Sequence, residues 1–116
     1  MHYTAQFSKH VLTAISTVKQ YIDDHPLEKK DAEDLTAIAG INRNLLQKSF
    51  RQIYGIKICE YQKQKRMEVA GQMLEDGRLT KKQIASRCGY TRFNNFCRPF
   101  RKVYKMTPGE WQNRVA

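Results

Sequence analysis

The chain has 116 residues, of which 41% are apolar and 28% charged, with three cysteines and a net charge of +10. This length and composition suit one domain or two small lobes, they exclude fibrous and low-complexity proteins, and no apolar run approaches the roughly 20 residues of a membrane span. The odd number of cysteines without C-x-x-C spacing, and the lack of a signal peptide, predict free thiols in the cytoplasm with no metal site or cofactor.

Hydrophobic residues at helical spacing predict three helices in the first half of the chain. The first begins after Ser8, which can cap it, and ends before Pro26, because the residue before a proline avoids helical angles. The second begins at the cap Asp31 and stops at Gly40. The third covers residues 42–54 and is closed by a glycine, which suits a left-handed helix end.

The second half of the chain predicts four more helices and no strand. A long helix covers about residues 58–75, and a capping box at Thr80 opens a short helix behind it. A further helix covers about residues 92–104. The segment Thr107-Pro108-Gly109-Glu110 combines a cap, a first-turn proline and a capping-box acid, so it opens the last helix. The expected fold is all-α with seven helices.

Two segments repeat fifty residues apart: FRQIYGI at 50–56 and FRKVYKM at 100–106. Their flanks repeat too, since each segment ends a longer helix that follows a short capped helix and a glycine turn. This is the helix-turn-helix plan, and the alternative is a pair of helical hairpins in a plain bundle. The expected division is an N-terminal tail at 1–7, a first helix-turn-helix lobe at 8–57, a linker helix at 58–76 and a second lobe at 77–116.

The outward faces of the two second helices carry no acid and are rich in side chains that pair with base edges and phosphates. In the first lobe these side chains are Arg43, Asn44, Gln47, Lys48 and Arg51. In the second lobe they are Arg92, Asn94, Asn95, Arg98 and Lys102. Two such faces on matched helices indicate that the chain reads double-stranded DNA.

Charge is distributed unevenly along the chain. Residues 42–116 hold 17 basic and five acidic side chains, a net of +12, whereas residues 1–41 have a net of −2. A field of one sign attracts polyanions. No nucleophile is paired with a base and no glycine loop could cradle phosphate, so no enzyme is predicted. The predicted function is sequence-specific DNA binding and regulation of transcription; the alternative is a basic helical module that binds protein or RNA without DNA sequence specificity.

The predicted linker helix has the length needed to separate two recognition helices. Its 18 residues span roughly 27 Å at 1.5 Å per residue, and successive major-groove faces lie about 34 Å apart. The two helices are therefore expected in adjacent major grooves of an asymmetric site.

The chain also resembles the DNA-binding domain of the AraC/XylS transcription regulators, over about residues 8–114. The resemblance is carried by DLTAIAGINRNLLQKSFRQIYG at 34–55, EYQKQKRMEVAGQML at 60–74 and IASRCGYTRFNNFCRPFRKVYKMTP at 84–108. It implies seven helices, two helix-turn-helix lobes, promoter DNA as the partner and an activator, although the residues leave activation and repression open. The family's base-reading positions fall on Asn44, Gln47 and Lys48, and on Phe93, Asn94, Cys97 and Arg98. Phe93 either contacts a thymine methyl group or belongs to the core.

Partners besides DNA follow from the resemblance and from the acidic segment at 23–34. Family members often carry a separate N-terminal effector or dimerisation domain, so either the protein stands alone or this is the C-terminal part of a larger one. The acidic segment is either a solvated linker or a contact for RNA polymerase. No membrane partner is expected.

Several residues depart from the family pattern. Thr36 places a hydroxyl under the first turn, where it needs a partner, and Gln62 is polar where the linker helix is often apolar. Lys105 replaces the glycine that usually ends the second recognition helix, so a different helix end is expected. Pro99 removes a backbone hydrogen bond inside that helix, which predicts a bend near Asn95.

Overall fold

The computed structural model describes residues 7–115, and within that range it contains seven helices and no strand. They are α1 (Lys9–Asp24), α2 (Ala32–Ala39), α3 (Arg43–Tyr54), α4 (Ile58–Asp76), α5 (Lys81–Arg87), α6 (Phe93–Tyr104) and α7 (Pro108–Val115). The predicted all-α fold is confirmed. The predicted tail at 1–7 lies outside the described residues except for Phe7.

Polar side chains at the helix starts explain why the helices begin where they do. The Ser8 hydroxyl accepts a hydrogen bond from the Val11 backbone N–H at 3.2 Å, and the Asn42 side chain accepts one from the Leu45 N–H at 2.8 Å. Each satisfies a backbone donor that the helix itself leaves unpaired. Capping boxes open α2, α5 and α7 at Asp31–Asp34, Thr80–Gln83 and Thr107–Glu110.

The chain divides into two compact units, and the division falls inside α4. Within the described range, the first unit comprises residues 7–25 and 29–62, and the second comprises residues 26–28 and 63–115. In the first unit, α1, α2 and α3 bury Ile15, Val18, Leu46 and Phe50 in one core. The core of the second unit is built from Met67, Ala70, Leu74, Ile84, Ala85, Cys88, Phe96 and Phe100.

Each unit contains one helix-turn-helix pair. In the first unit, α2 turns into α3 through Gly40, whose φ of +73° is a left-handed conformation that a side chain disfavours. In the second unit, α5 turns into α6 through Gly89, whose φ is +87°. Buried Phe50 and Phe100 fix the inner faces of α3 and α6, so the opposite faces point to solvent.

Two of the residues that depart from the family pattern have a clear structural outcome. The Thr36 hydroxyl donates to the Ala32 carbonyl at 2.7 Å, so its need for a partner is met. The different helix end expected at Lys105 is not found, because Lys105 takes a left-handed conformation with φ of +63° and its N–H bonds the Arg101 carbonyl at 2.8 Å. Helix α6 is continuous through Pro99; the bend near Asn95 stays a prediction.

Candidate nucleic-acid interface

The outward face of α3 carries the five side chains expected on it. Leu46, Ser49 and Phe50 are buried on one side of α3, so the side chains on the opposite side of the helix are exposed. The exposed side chains are Arg43, Asn44, Gln47, Lys48 and Arg51. None of these side chains has a hydrogen bond or ion pair to the rest of residues 7–115, so all five are available to a ligand.

This face of α3 is one wall of an open groove in the first unit, with a volume of about 580 Å³. The start of α2 and the start of α4 form the other walls. The residues that line the groove outside α3 include Lys30, Asp31, Ala32, Leu35, Thr36, Lys57, Ile58, Cys59 and Gln62. All five predicted residues of the first lobe therefore meet in one concave surface.

The groove is positively charged. Its basic lining residues are Lys30, Arg43, Lys48, Arg51 and Lys57. The single acidic lining residue, Asp31, uses its carboxylate to accept the Asp34 backbone N–H at 2.9 Å. A concave surface with this excess of basic side chains attracts anions, and lysine and arginine are side chains that contact phosphates in protein–DNA complexes.

Gln62 holds the chain that leads into α2. Its side-chain Nε2 donates to the Lys30 carbonyl at 3.2 Å, and the Lys30 backbone N–H donates to Gln62 Oε1 at 3.4 Å. Gln62 is only 9% exposed, so these two bonds also satisfy an amide that would otherwise be buried without partners. The polar departure from the family pattern thus fixes one wall of the groove.

The outward face of α6 carries the second predicted set. Phe96 and Phe100 are buried, and the residues on the far side of the helix are exposed. The exposed residues are Arg92, Asn94, Asn95, Arg98 and Lys102. Arg92 is the cap position of α6, but its side chain makes no capping hydrogen bond. No side chain of this set is hydrogen-bonded or ion-paired within the described part of the chain.

Two further positions that the family resemblance assigned to base reading are only partly accessible. Phe93 is half-buried and packs against the core of the second unit, with its ring 6.1 Å from that of Phe96. Cys97 is also half-buried, and burial raises the pKa of its thiol, so it is protonated at neutral pH. A protonated thiol is a weak hydrogen-bond donor and a poor nucleophile.

The acidic segment at 23–34 has structural tasks that the sequence did not reveal. Asp23 accepts the Tyr61 hydroxyl and pairs with Lys19 at 3.0 Å, and Lys19 also lies 5.6 Å from the Tyr61 ring centre. Asp23 and Asp31 therefore have structural roles, since Asp23 makes these contacts and Asp31 caps α2. Glu33, in the same segment, is exposed.

Sequence reasoning missed the groove walls contributed by Lys30 and Lys57 and the burial of Arg66, which is 4% exposed. The polar residue Gln62 at an inward helical position was the signal that could have revealed the wall at α2.

Among residues 7–115, no group of three or more His, Cys, Asp or Glu side chains is placed to hold a metal ion. In the same range no helix is both long and apolar enough to cross a membrane.

Comparison with known proteins agrees with this architecture. A family model described as a helix-turn-helix domain matches residues 35–114. An uncharacterised HTH-type transcriptional regulator of Escherichia coli K12, YpdC, is 30% identical over 98 residues, which cover 84% of this chain and 34% of that protein. The regulatory protein SoxS of Salmonella typhimurium is 27% identical over 101 residues, covering 87% of this chain and 94% of SoxS. The F1 operon positive regulatory protein of Yersinia pestis is 30% identical over 100 residues, covering 84% of this chain and 33% of that protein.

Solved structures give the same result. A probable AraC family transcriptional regulator from Rhodopseudomonas palustris has a TM-score of 0.79 and 28% identity, covering 89% of this chain and 97% of that one. The DNA-binding domain of AdpA, solved in complex with a target DNA, has a TM-score of 0.78 and covers 86% of this chain and 90% of that one; at 23% identity it shows the shared fold alone. The chain spans about a third of the length of relatives such as YpdC. With a helix-turn-helix pair in each unit and a family model matched over residues 35–114, the chain belongs to the helix-turn-helix family of AraC-type transcription regulators.

Proposed function

We propose that the chain binds double-stranded DNA with sequence specificity and thereby regulates transcription, using α3 and α6 as recognition helices in adjacent major grooves. The observation that supports this most directly is the pair of exposed, acid-free helix faces, one in each helix-turn-helix pair. A major groove about 12 Å wide admits one α-helix, so each face can meet base edges.

The side chains of each face divide by chemistry. Arg43, Lys48 and Arg51 carry positive charge along α3, and contacts of this kind with phosphates position a protein without reading sequence. Asn44 and Gln47 carry amides that match the hydrogen-bonding edge of a base. On α6, Arg92, Asn95 and Lys102 suit phosphates, whereas Asn94 and Arg98 suit bases.

The proposed site is asymmetric and is bound by one chain. The α3 and α6 faces differ in sequence, so their half-sites differ as well. Two helices in adjacent major grooves require half-site centres about ten base pairs apart. A single chain then occupies both half-sites. Proteins with only one helix-turn-helix pair per chain bind two half-sites as a dimer.

Selection from a pool of random DNA duplexes at moderate salt tests the proposal. We expect two unlike motifs centred about ten base pairs apart. Gln47→Ala should weaken binding to the selected site, whereas the matched control Gln52→Ala should not, because Gln52 is an exposed amide on the same helix but does not line the groove. Enrichment of no motif, with salt-dependent binding retained, would favour the alternative of a basic module that binds protein or RNA.

We further infer an activator that works in the cytoplasm and contacts RNA polymerase, with an effector or dimerisation domain outside this sequence. The relative named as a positive regulator favours activation, and the exposed acid Glu33 is available for a protein contact. Transcription from a template carrying the selected site, with purified RNA polymerase, should rise when the chain is added. A fall in transcript would identify a repressor instead.

A further inference from the structure

We infer that the two recognition helices carry one adenine-reading asparagine at the same helical position and diverge at the next two reading positions. The first half-site then contains two adenines, and the second contains one adenine and one guanine. This inference rests on the proposed function and specifies the DNA that the proposed interface would select.

Helices α3 and α6 have the same length and share two buried positions. Both helices have 12 residues, and both end at a left-handed residue, Gly55 with φ of 73° and Lys105 with φ of 63°. The fourth and eighth residues are buried in each helix: Leu46 and Phe50 in α3, Phe96 and Phe100 in α6. Since the fourth and eighth positions face the core in both helices, the two helices share one register and can be compared residue by residue.

The second helical position is asparagine in both helices. Asn44 and Asn94 are exposed, and neither side chain is hydrogen-bonded to any other part of residues 7–115. An asparagine amide matches adenine bidentately, since it donates to N7 and accepts from the N6 amino group. Both half-sites are therefore expected to present adenine to this position.

The fifth position differs between the helices. Gln47 is exposed and lines the groove, and its amide can read a second adenine in the same bidentate way. The equivalent residue of α6 is Cys97, which is half-buried and whose thiol is a weak donor. The second half-site is therefore expected to show no base preference from this position.

The sixth position differs in a second way. Arg98 is exposed and presents a planar guanidinium that matches guanine O6 and N7 with two hydrogen bonds. The equivalent residue of α3 is Lys48, whose ammonium is a point charge and suits a phosphate equally well. A required guanine is thus expected in the second half-site.

The first test replaces single adenines in the selected duplex and uses the unaltered chain. Substituting 7-deazaadenine, which lacks N7, for the adenine read by Asn44 should weaken binding about 2- to 12-fold, because one hydrogen bond of the pair is lost while the bond from the N6 amino group remains. The Asn44→Ala variant should bind both duplexes equally. If the selected motifs lack these adenines, or if Asn44→Ala keeps the full sensitivity to the analogue, the assignment is wrong.

The second test adds a reader to the second helix. Cys97→Gln places an amide at the position that Gln47 occupies in α3, so selection with this variant should enrich a second adenine in the second half-site. Cys97→Ser is the matched control and should select the original motif. Circular dichroism checks that both variants keep their helices. Clear motifs with no new adenine would overturn the inference while leaving the proposed function intact, whereas selection of no motif by the unaltered chain would contradict both.

Discussion

Gly71, on α4, lies directly against the Tyr104 side chain. A methyl group added there would lie 2.1 Å from the Tyr104 hydroxyl oxygen and 2.5 Å from its Cζ. Two hydrogen bonds cross the same place: Trp111 Nε1 donates to the Gly71 carbonyl at 3.2 Å, and the Tyr104 hydroxyl donates to the Glu68 carbonyl at 3.3 Å. We expect Gly71→Ala to destabilise the second unit.

The magnitude follows from the distances. Carbon atoms in ordinary contact are about 3.5–4.0 Å apart, so the Tyr104 ring must move by more than about 1 Å. That movement costs about 1 kcal/mol for the hydrogen bond to Glu68. It also disturbs the ring contacts with Phe100 and Trp111, both with centroids at 4.5 Å, for about 1–2 kcal/mol. Alanine favours the helix over glycine by about 1 kcal/mol, so the net decrease in the free energy of unfolding is about 1–2 kcal/mol.

Thermal unfolding followed by circular dichroism measures this loss, which corresponds to a fall in Tm of about 4–16 °C. Gly109→Ala is the matched control, because Gly109 lies in α7 and a methyl group there would approach no atom closer than 3.8 Å. This control should raise stability by about 0.5–1 kcal/mol. In a Tyr104→Leu background the effect of Gly71→Ala should change sign. Equal stabilisation by both alanines in the unaltered background would refute the reasoning.

Three further predictions concern helix ends and one buried contact. Lys105→Gly should raise the free energy of unfolding by about 0.5–1 kcal/mol, because glycine relieves a left-handed conformation; a lower Tm would contradict this. Tyr61→Phe should cost about 1–2 kcal/mol in urea unfolding, because Asp23 loses the hydroxyl that donates to it; unchanged stability would show that water replaces the bond. Hydrogen bonding to the Thr107 backbone N–H lowers the pKa of Glu110 below its ordinary 4.5, so this contribution is present above pH 4.5 and is lost as the pH falls through the lower folded value. Glu110→Gln should therefore lose less stability in acid than the unaltered chain, and parallel pH profiles would rule this out.

The helix starts could be predicted from sequence because capping is local. Ser8, Asn42 and Thr80 each bond a backbone N–H three residues ahead, so the signal lies within one turn of helix. The exposed faces of α3 and α6 could be predicted for a similar reason. Once the buried positions of a helix are recognised from their spacing, the exposed positions follow from the helical period.

Features that depend on distant parts of the chain could not be predicted in this way. The two bonds between Gln62 and Lys30 join residues 32 apart in sequence. The residues next to Gln62 in the sequence do not indicate which backbone groups its amide will bond. The groove wall at Lys30, which Gln62 holds in place, was missed for that reason. The helix end at Lys105 was predicted wrongly because residue type alone was used: a lysine disfavours the left-handed conformation, yet Lys105 adopts it and its N–H bonds the Arg101 carbonyl.

The aromatic packing around Trp111 makes the second unit optically distinct. Trp111 is the only tryptophan in the chain. Its ring lies 4.5 Å from that of Tyr104, and its indole N–H bonds the Gly71 carbonyl within the same unit. Its emission therefore responds to the environment of the second unit, whereas circular dichroism at 222 nm, the wavelength of the helical signal, averages over both units. Coincident transitions by the two probes would mean that the units unfold together, and separated transitions would give each unit its own stability.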